Sequence, residues 1–258
     1  MASLSGLILE PGAGRRRREG SVQTLWSAKT AMLVPSVAAF AAFFALPLAY
    51  LLVVSFWRLR LYRLEPAFTL KNYAVTITDY GDTILTTFAI TLAISVIATA
   101  LAYAFAYALR FKAGRWADLY LFITLVTLFG GYLVKIYAWK TILGSEGLLN
   151  SGLMALGLVA APVAWLLYSP VAVIVTLVHF LLPFAILPIY GSLRGVAIDH
   201  VEAARDLGAR PRRAFLDVVL PQTQAGLIAA FAMTFLYSAG DYVTPRLVGG
   251  PNIAMIGN

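Results

Sequence analysis

The chain has 258 residues, of which 60% are hydrophobic and 12% charged, with a formal net charge of +8 and mean hydropathy of +0.81. A soluble globular domain carries about 25% charged residues, so this composition excludes an ordinary water-soluble fold and puts most of the chain in lipid. Cysteine is absent and the histidines are two, His179 and His200, which excludes a disulfide framework, thiol chemistry and a Cys- or His-rich metal site.

The basic residues lie between apolar runs and not on one polar face, a pattern that orients a membrane protein and does not read nucleic acid. A membrane helix needs about 20 mostly apolar residues to cross roughly 30 Å of hydrocarbon. Residues 1–30, with Arg15, Arg16, Arg17, Arg18 and Lys29, read as a basic tail. The first span is expected over 31–57. Its apolar stretch is much longer than the roughly 7–15 residues of a cleavable signal, so an uncleaved span is expected. The second span is expected over 83–109 and the third over 118–139. The next apolar run, 147–168, is interrupted by Gly147, Gly152, Gly157 and Pro162, and only Ser169 separates it from the apolar run that begins at Pro170. Two antiparallel spans cannot reverse in one residue, so a short interfacial or partly re-entrant helix is expected there. The fourth span is expected over 170–193 and the fifth over 223–243. The fold class is all-α, a polytopic membrane helix bundle with five spans.

With the N-terminus inside, 13 of the 20 Lys and Arg residues fall on inner segments, including Arg110, Lys112, Arg115, Arg194, Arg205, Arg210, Arg212 and Arg213. Arg58, Arg60, Arg63 and Lys71 run against this bias. The chain lacks a G-x-x-x-x-G-K-[ST] loop, an H-E-x-x-H and a G-x-S-x-G, so no cofactor is expected and any ATP hydrolysis belongs to a partner. A membrane enzyme would need facing titratable groups from neighbouring spans, and His179 with Asp241 is too small a set. A secondary transporter or channel working without an ATPase is the alternative; intramembrane ion sites or inverted repeats, its usual marks, are not evident.

Between spans four and five lies "IDHVEAARDLGARPRRAFLDVVLP". Asp199 and Glu202, three apart, suggest a capping box that opens a short helix. Gly208 suits the left-handed residue that ends it, and Pro211 suits the first turn of a second helix leading to Pro221. A two-helix elbow is expected over 194–222. Its Glu202, Ala203, Ala204, Gly208, Val218, Leu220 and Pro221 match, at every spacing, the pattern E-A-A, three residues, G, nine residues, I, one residue, L-P, with Val218 where Ile is preferred. The chain thereby resembles the membrane subunits of bacterial binding-protein-dependent ABC importers. The resemblance implies a permease domain over 31–258, in the bacterial cytoplasmic membrane and its lipid. It also implies a dimer of cytoplasmic ATP-binding subunits, a second permease subunit and a periplasmic solute-binding protein as partners. The elbow would be the coupling helix docked in the ATPase, with Glu202 capping it and able to pair with Arg205 or with a basic residue on the ATPase.

"YAWKTILGSEGLLN" after span three, and "GDYVTPRLVGG" with "MIGN" after span five, resemble the spermidine/putrescine branch of that family. Members have six core helices, so a sixth is expected to be missing after the Pro/Gly-rich outer segment that ends this sequence. A polyamine path should offer carboxylates and aromatic faces. Asp241 with Tyr237 and Tyr242 is the first candidate, Glu146 with Trp139 and Tyr137 the second. Asp241 could equally pair with Arg246, Lys135 or Lys140, and the aromatic residues could serve the interfacial belt. His179 is expected to hydrogen-bond inside the bundle.

Overall fold

The computed structural model describes residues 33–60, 63–251 and 253–257. The basic tail expected over 1–30 lies outside the described residues. The chain divides into two compact units, Met1–Asp79 and Tyr80–Asn258.

In the first unit, helix α1 (Leu33–Ser55) has 23 residues and a mean hydropathy of 2.5, long and apolar enough to cross a membrane. A π-helical turn over Ala41–Ala45 interrupts its regular winding. Where the sequence suggested only a loop, a small antiparallel hairpin follows, β1 (Arg58–Arg60) and β2 (Arg63–Glu65), with Arg58 opposite Glu65. The Asn72 side-chain amide then donates to the carbonyls of Ser55 at 2.9 Å and Trp57 at 2.7 Å. Those bonds satisfy carbonyls at and just beyond the C-terminus of α1.

Helix α2 (Lys71–Phe111) is one helix of 41 residues, roughly 60 Å long at 1.5 Å per residue. The span expected over 83–109 lies within it. In the second unit its buried face carries Thr87, Thr91, Ser95, Ala98, Ala102 and Ala106. Small residues at helical spacing let neighbouring backbones approach closely. Helix α3 (Ala117–Val126), helix α4 (Tyr132–Leu143) and helix α5 (Leu148–Ala155) come next.

The third expected span, 118–139, is therefore not one helix. It breaks at Gly130 and Gly131, both with extended backbone (ψ 121° and 138°) after a tight turn over Thr127–Phe129. Adjacent glycines each cost a helix interior about 1 kcal/mol relative to alanine, which makes this the weakest point of the run. The run 147–168 yields α5, only eight residues long, and then irregular chain. Buried Asn150 closes that segment: its amide donates to the Gly144 carbonyl at 2.9 Å, and its Oδ1 accepts from the Val163 N–H at 2.8 Å.

Helix α6 (Pro170–Arg194) coincides with the fourth expected span. Ser169 caps it by accepting the Ala172 N–H at 3.2 Å, with Pro170 in the first turn. Helix α7 (Ile198–Asp206) and helix α8 (Pro211–Gln222) form the elbow, and helix α9 (Gln224–Gly240) leaves α8 at a 69° bend. The fifth expected span is thus the second arm of a bent pair, broken at Thr223. Helices α6 and α9 meet closely at Gly226, where a Cβ would lie 2.5 Å from the Pro188 carbonyl oxygen and collide with Ser192 Oγ.

The last described residues are not a loose loop. Val248, Ile253 and Met255 are buried with Ile90, Ile94, Ile136 and Leu177 in one core cluster. The Ile256 N–H donates to Thr87 Oγ1 on α2 at 2.9 Å. A second cluster, nearer the elbow, gathers Tyr103, Leu109, Ile186, Ile189, Leu193 and Val219.

Candidate functional sites

The elbow is built largely as its local chemistry demands. Gly208 has φ +86°, its N–H donates to the Arg205 carbonyl at 2.8 Å, and the Ala209 N–H donates to the Ala204 carbonyl at 2.9 Å. This pair of bonds is the Schellman closure, in which a left-handed residue satisfies the last carbonyls of a helix. Pro211 opens α8, where its missing N–H costs nothing. Ala204, Gly208 and Val218 line one concavity between the two arms, while Glu202 and Ala203 are exposed and Leu207 is 89% exposed. Leu220 is half-buried and Pro221 exposed.

Two details differ from expectation. The capping box does not form: α7 begins after Ala197, which has no capping side chain, and Asp199 sits inside the first turn. Its carboxylate there still favours the positive end of the helix dipole. Nor does Glu202 pair with Arg205; among the described residues the ion pair shown in the elbow is Arg213 to Asp217, 3.4 Å apart and exposed.

The second site surrounds Asp241, the residue that ends α9. It is 7% exposed. Its Oδ1 accepts the Tyr132 hydroxyl at 2.5 Å and the Val243 N–H at 3.1 Å. Thr244 lies 2.8 Å from the Tyr132 oxygen and donates to it, because the tyrosine has only one hydrogen to give. Asp241 Oδ2 is buried with no hydrogen-bond partner. The Tyr132 ring packs on Phe180 at 4.8 Å and Tyr237 at 6.4 Å, and Phe180 lies 5.3 Å from Tyr237. Lys135, one turn after Tyr132, holds its ammonium 5.2 Å from the Phe180 ring centre.

This arrangement corrects the alternative pairing of Asp241. Neither Arg246, Lys135 nor Lys140 forms an ion pair with it among the described residues; a neutral tyrosine takes its place. Of the path residues read from the sequence, Asp241 and Tyr237 come together. Trp139 instead donates its indole N–H to His179 Nδ1 at 3.2 Å; His179 is exposed, so it has a hydrogen bond but not the buried one expected inside the bundle. Tyr242 and Glu146 are exposed and stand apart from this cluster. Tyr132 and Phe180 were not legible as site residues, since they lie far from Asp241 in sequence; Thr244 stands three residues from Asp241 in the quoted "GDYVTPRLVGG", but nothing in that stretch marks it as a partner of a distant tyrosine.

A family profile described as binding-protein-dependent transport system inner membrane component matches residues 116–256. The chain belongs to this family. The match covers α3 to α9, and so both the elbow and the Asp241 cluster of this transport-system membrane component. Among its relatives is the spermidine/putrescine transport system permease protein PotB of Haemophilus influenzae, 37% identical over 144 residues, which are 56% of this chain and 50% of the relative. PotB of Escherichia coli is 36% identical over 140 residues, 54% of this chain and 50% of the relative. The inner membrane ABC transporter permease protein YdcU of E. coli is 32% identical over 159 residues, 58% of this chain and 50% of the relative. The chain spans about half the length of these relatives.

Proposed function

We propose that this family member is a permease subunit of an ATP-driven importer that carries a small solute of the polyamine class across a bacterial cytoplasmic membrane. It works with two cytoplasmic ATP-binding subunits, a second permease subunit and a periplasmic solute-binding protein. It performs no catalysis itself. The domain is 31–258, with the tail 1–30 and the elbow 194–222 on the cytoplasmic side. The observation that carries this reading is the elbow: a Schellman-closed helix, exposed at Glu202, Ala203 and Leu207, set between apolar helices and bearing the full E-A-A to Leu-Pro spacing.

The Asp241 cluster supports the choice of solute. A buried carboxylate with one oxygen already held and the other unpartnered offers a charge-assisted bond to an ammonium. The Tyr237 ring, beside Phe180, adds an aromatic surface for cation–π attraction, while the Lys135 ammonium already lies over Phe180. The named solutes of the PotB relatives, spermidine and putrescine, are polycations of this kind.

The test is reconstitution. The chain should co-purify with an ATP-binding subunit, and the complete complex in proteoliposomes should take up radiolabelled spermidine only with ATP and receptor. Uptake by the chain alone, without ATP, would instead establish the secondary-transporter or channel reading.

A further inference from the structure

The elbow meets the bundle through buried Val219 and through the aromatic ring of Phe215, both in the cluster around Tyr103. Phe215 lies in a π-helical turn, Phe215–Val219, inside α8. Its ring stands edge-on to two rings of α2, Tyr103 at 5.7 Å and Tyr107 at 5.5 Å. Those tyrosines are four residues apart and so share a face of α2. One turn further, Arg110 donates from Nε to the Leu193 carbonyl at 3.2 Å and from Nη2 to the Val196 carbonyl at 3.1 Å, where the chain enters the elbow. The Tyr103 hydroxyl also lies 2.8 Å from Thr223 Oγ1, at the break between α8 and α9.

The break matters for how motion travels. At the 69° bend α8 and α9 are not collinear, so an axial displacement of α8 is turned away from the axis of α9. Helix α2 offers a straight route. It is continuous from Tyr107 back to Thr87, a distance of roughly 30 Å at 1.5 Å per residue. At that far end Thr87 Oγ1 accepts the Ile256 N–H, and the neighbouring Gly257 lies against the Asp241 backbone so closely that a Cβ there would be 2.6 Å from its carbonyl oxygen.

We propose that Phe215 is the positioning residue that pins the elbow to α2, and that α2 acts as the rod that carries elbow motion to the backbone around Asp241. This rests on the elbow being the ATPase contact. It predicts that α8 and the 103–110 end of α2 move as one body, with the hinge at Thr223.

This sequence has no cysteine of its own, so engineered cysteines in it are the only ones it carries. In the complete complex with ATP-binding subunits and receptor, Phe215→Ala should lower solute transported per ATP hydrolysed by about tenfold, and Phe215→Tyr should restore the ratio. The pair Tyr107→Cys/Phe215→Cys, joined by a short bismaleimide, should transport at least as well as the same pair unjoined. A Phe215→Ala complex with an unchanged ratio, or loss of transport on joining the pair, overturns the role of Phe215 while leaving the importer reading intact. Failure of the unaltered chain to bind any ATP-binding subunit overturns both.

Discussion

Tyr132 and Asp241, 109 residues apart in the chain, share a hydrogen bond of 2.5 Å that closes the space between α4 and the end of α9. The bond uses Asp241 Oδ1 and leaves Oδ2 free. Asp241→Asn should therefore lower spermidine uptake at subsaturating concentration by about tenfold or more, since a bond to a charged group contributes about 1.5–3 kcal/mol. Uptake of a neutral solute of similar size through the same complex should fall much less. Equal loss for both solutes would assign Asp241 to structure. Tyr132→Phe keeps the charge but frees Oδ1, so it should change uptake less than Asp241→Asn; uptake assays on the two variants side by side decide it.

At Gly226 helices α6 and α9 approach closely. Any side chain there strikes the Pro188 carbonyl and Ser192 Oγ. Gly226→Ala should destabilise the purified protein by about 1–3 kcal/mol through overpacking, and Gly226→Leu by more. Adding Ser192→Ala removes the Oγ collision but leaves the Cβ of residue 192 at 2.8 Å and the Pro188 carbonyl oxygen at 2.5 Å, so it should recover only part of the loss. Thermal unfolding in detergent reads all three.

Gly208 is a different kind of glycine. Nothing lies within 4 Å of its would-be Cβ, yet its φ is +86°. Substitution should act through backbone strain of about 1–2 kcal/mol and not through collision. Alanine and leucine should then impair ATP-coupled uptake to a similar degree, with asparagine milder. A graded loss with side-chain size would show that the ATPase contact, and not the backbone, is what the glycine protects.

Arg110 holds two carbonyls from one guanidinium. Arg110→Ala should cost about 1–3 kcal/mol, since two hydrogen bonds to a charged donor are lost; the Leu193 carbonyl keeps the Val196 N–H at 3.2 Å. Arg110→Lys should not restore stability, because an ammonium lacks the planar fork that reaches both oxygens at once. Full recovery of the unfolding temperature with lysine would refute the two-point clamp.

What was legible in the sequence is local. Apolar runs placed α1, α2 and α6; Ser169 and Pro170 marked a helix start; Gly208 and Pro211 marked the bend of the elbow, because a left-handed residue and a missing N–H act within a few residues of themselves. The same logic misread Asp199 and Glu202. A capping box needs its first residue outside the helix, and Ala197 starts α7 two residues earlier than that. Gly130 and Gly131 broke the third span although its apolar content is ample, a case where backbone conformation outweighed hydropathy.

The amino-acid sequence by itself determined the solvent of this protein, the positions of α1, α2 and α6, and the elbow with its fixed spacing. Only the tertiary structure decided what Asp241 touches, that Ile253 and Met255 pack into the core, and that Phe215 packs the elbow against α2. Hydropathy and turn chemistry are properties of a residue and its near neighbours, so they can be read along the chain. The partner of a buried carboxylate or of a ring is set by which helices pack together, and no spacing between Tyr132 and Asp241, or Tyr107 and Phe215, records that.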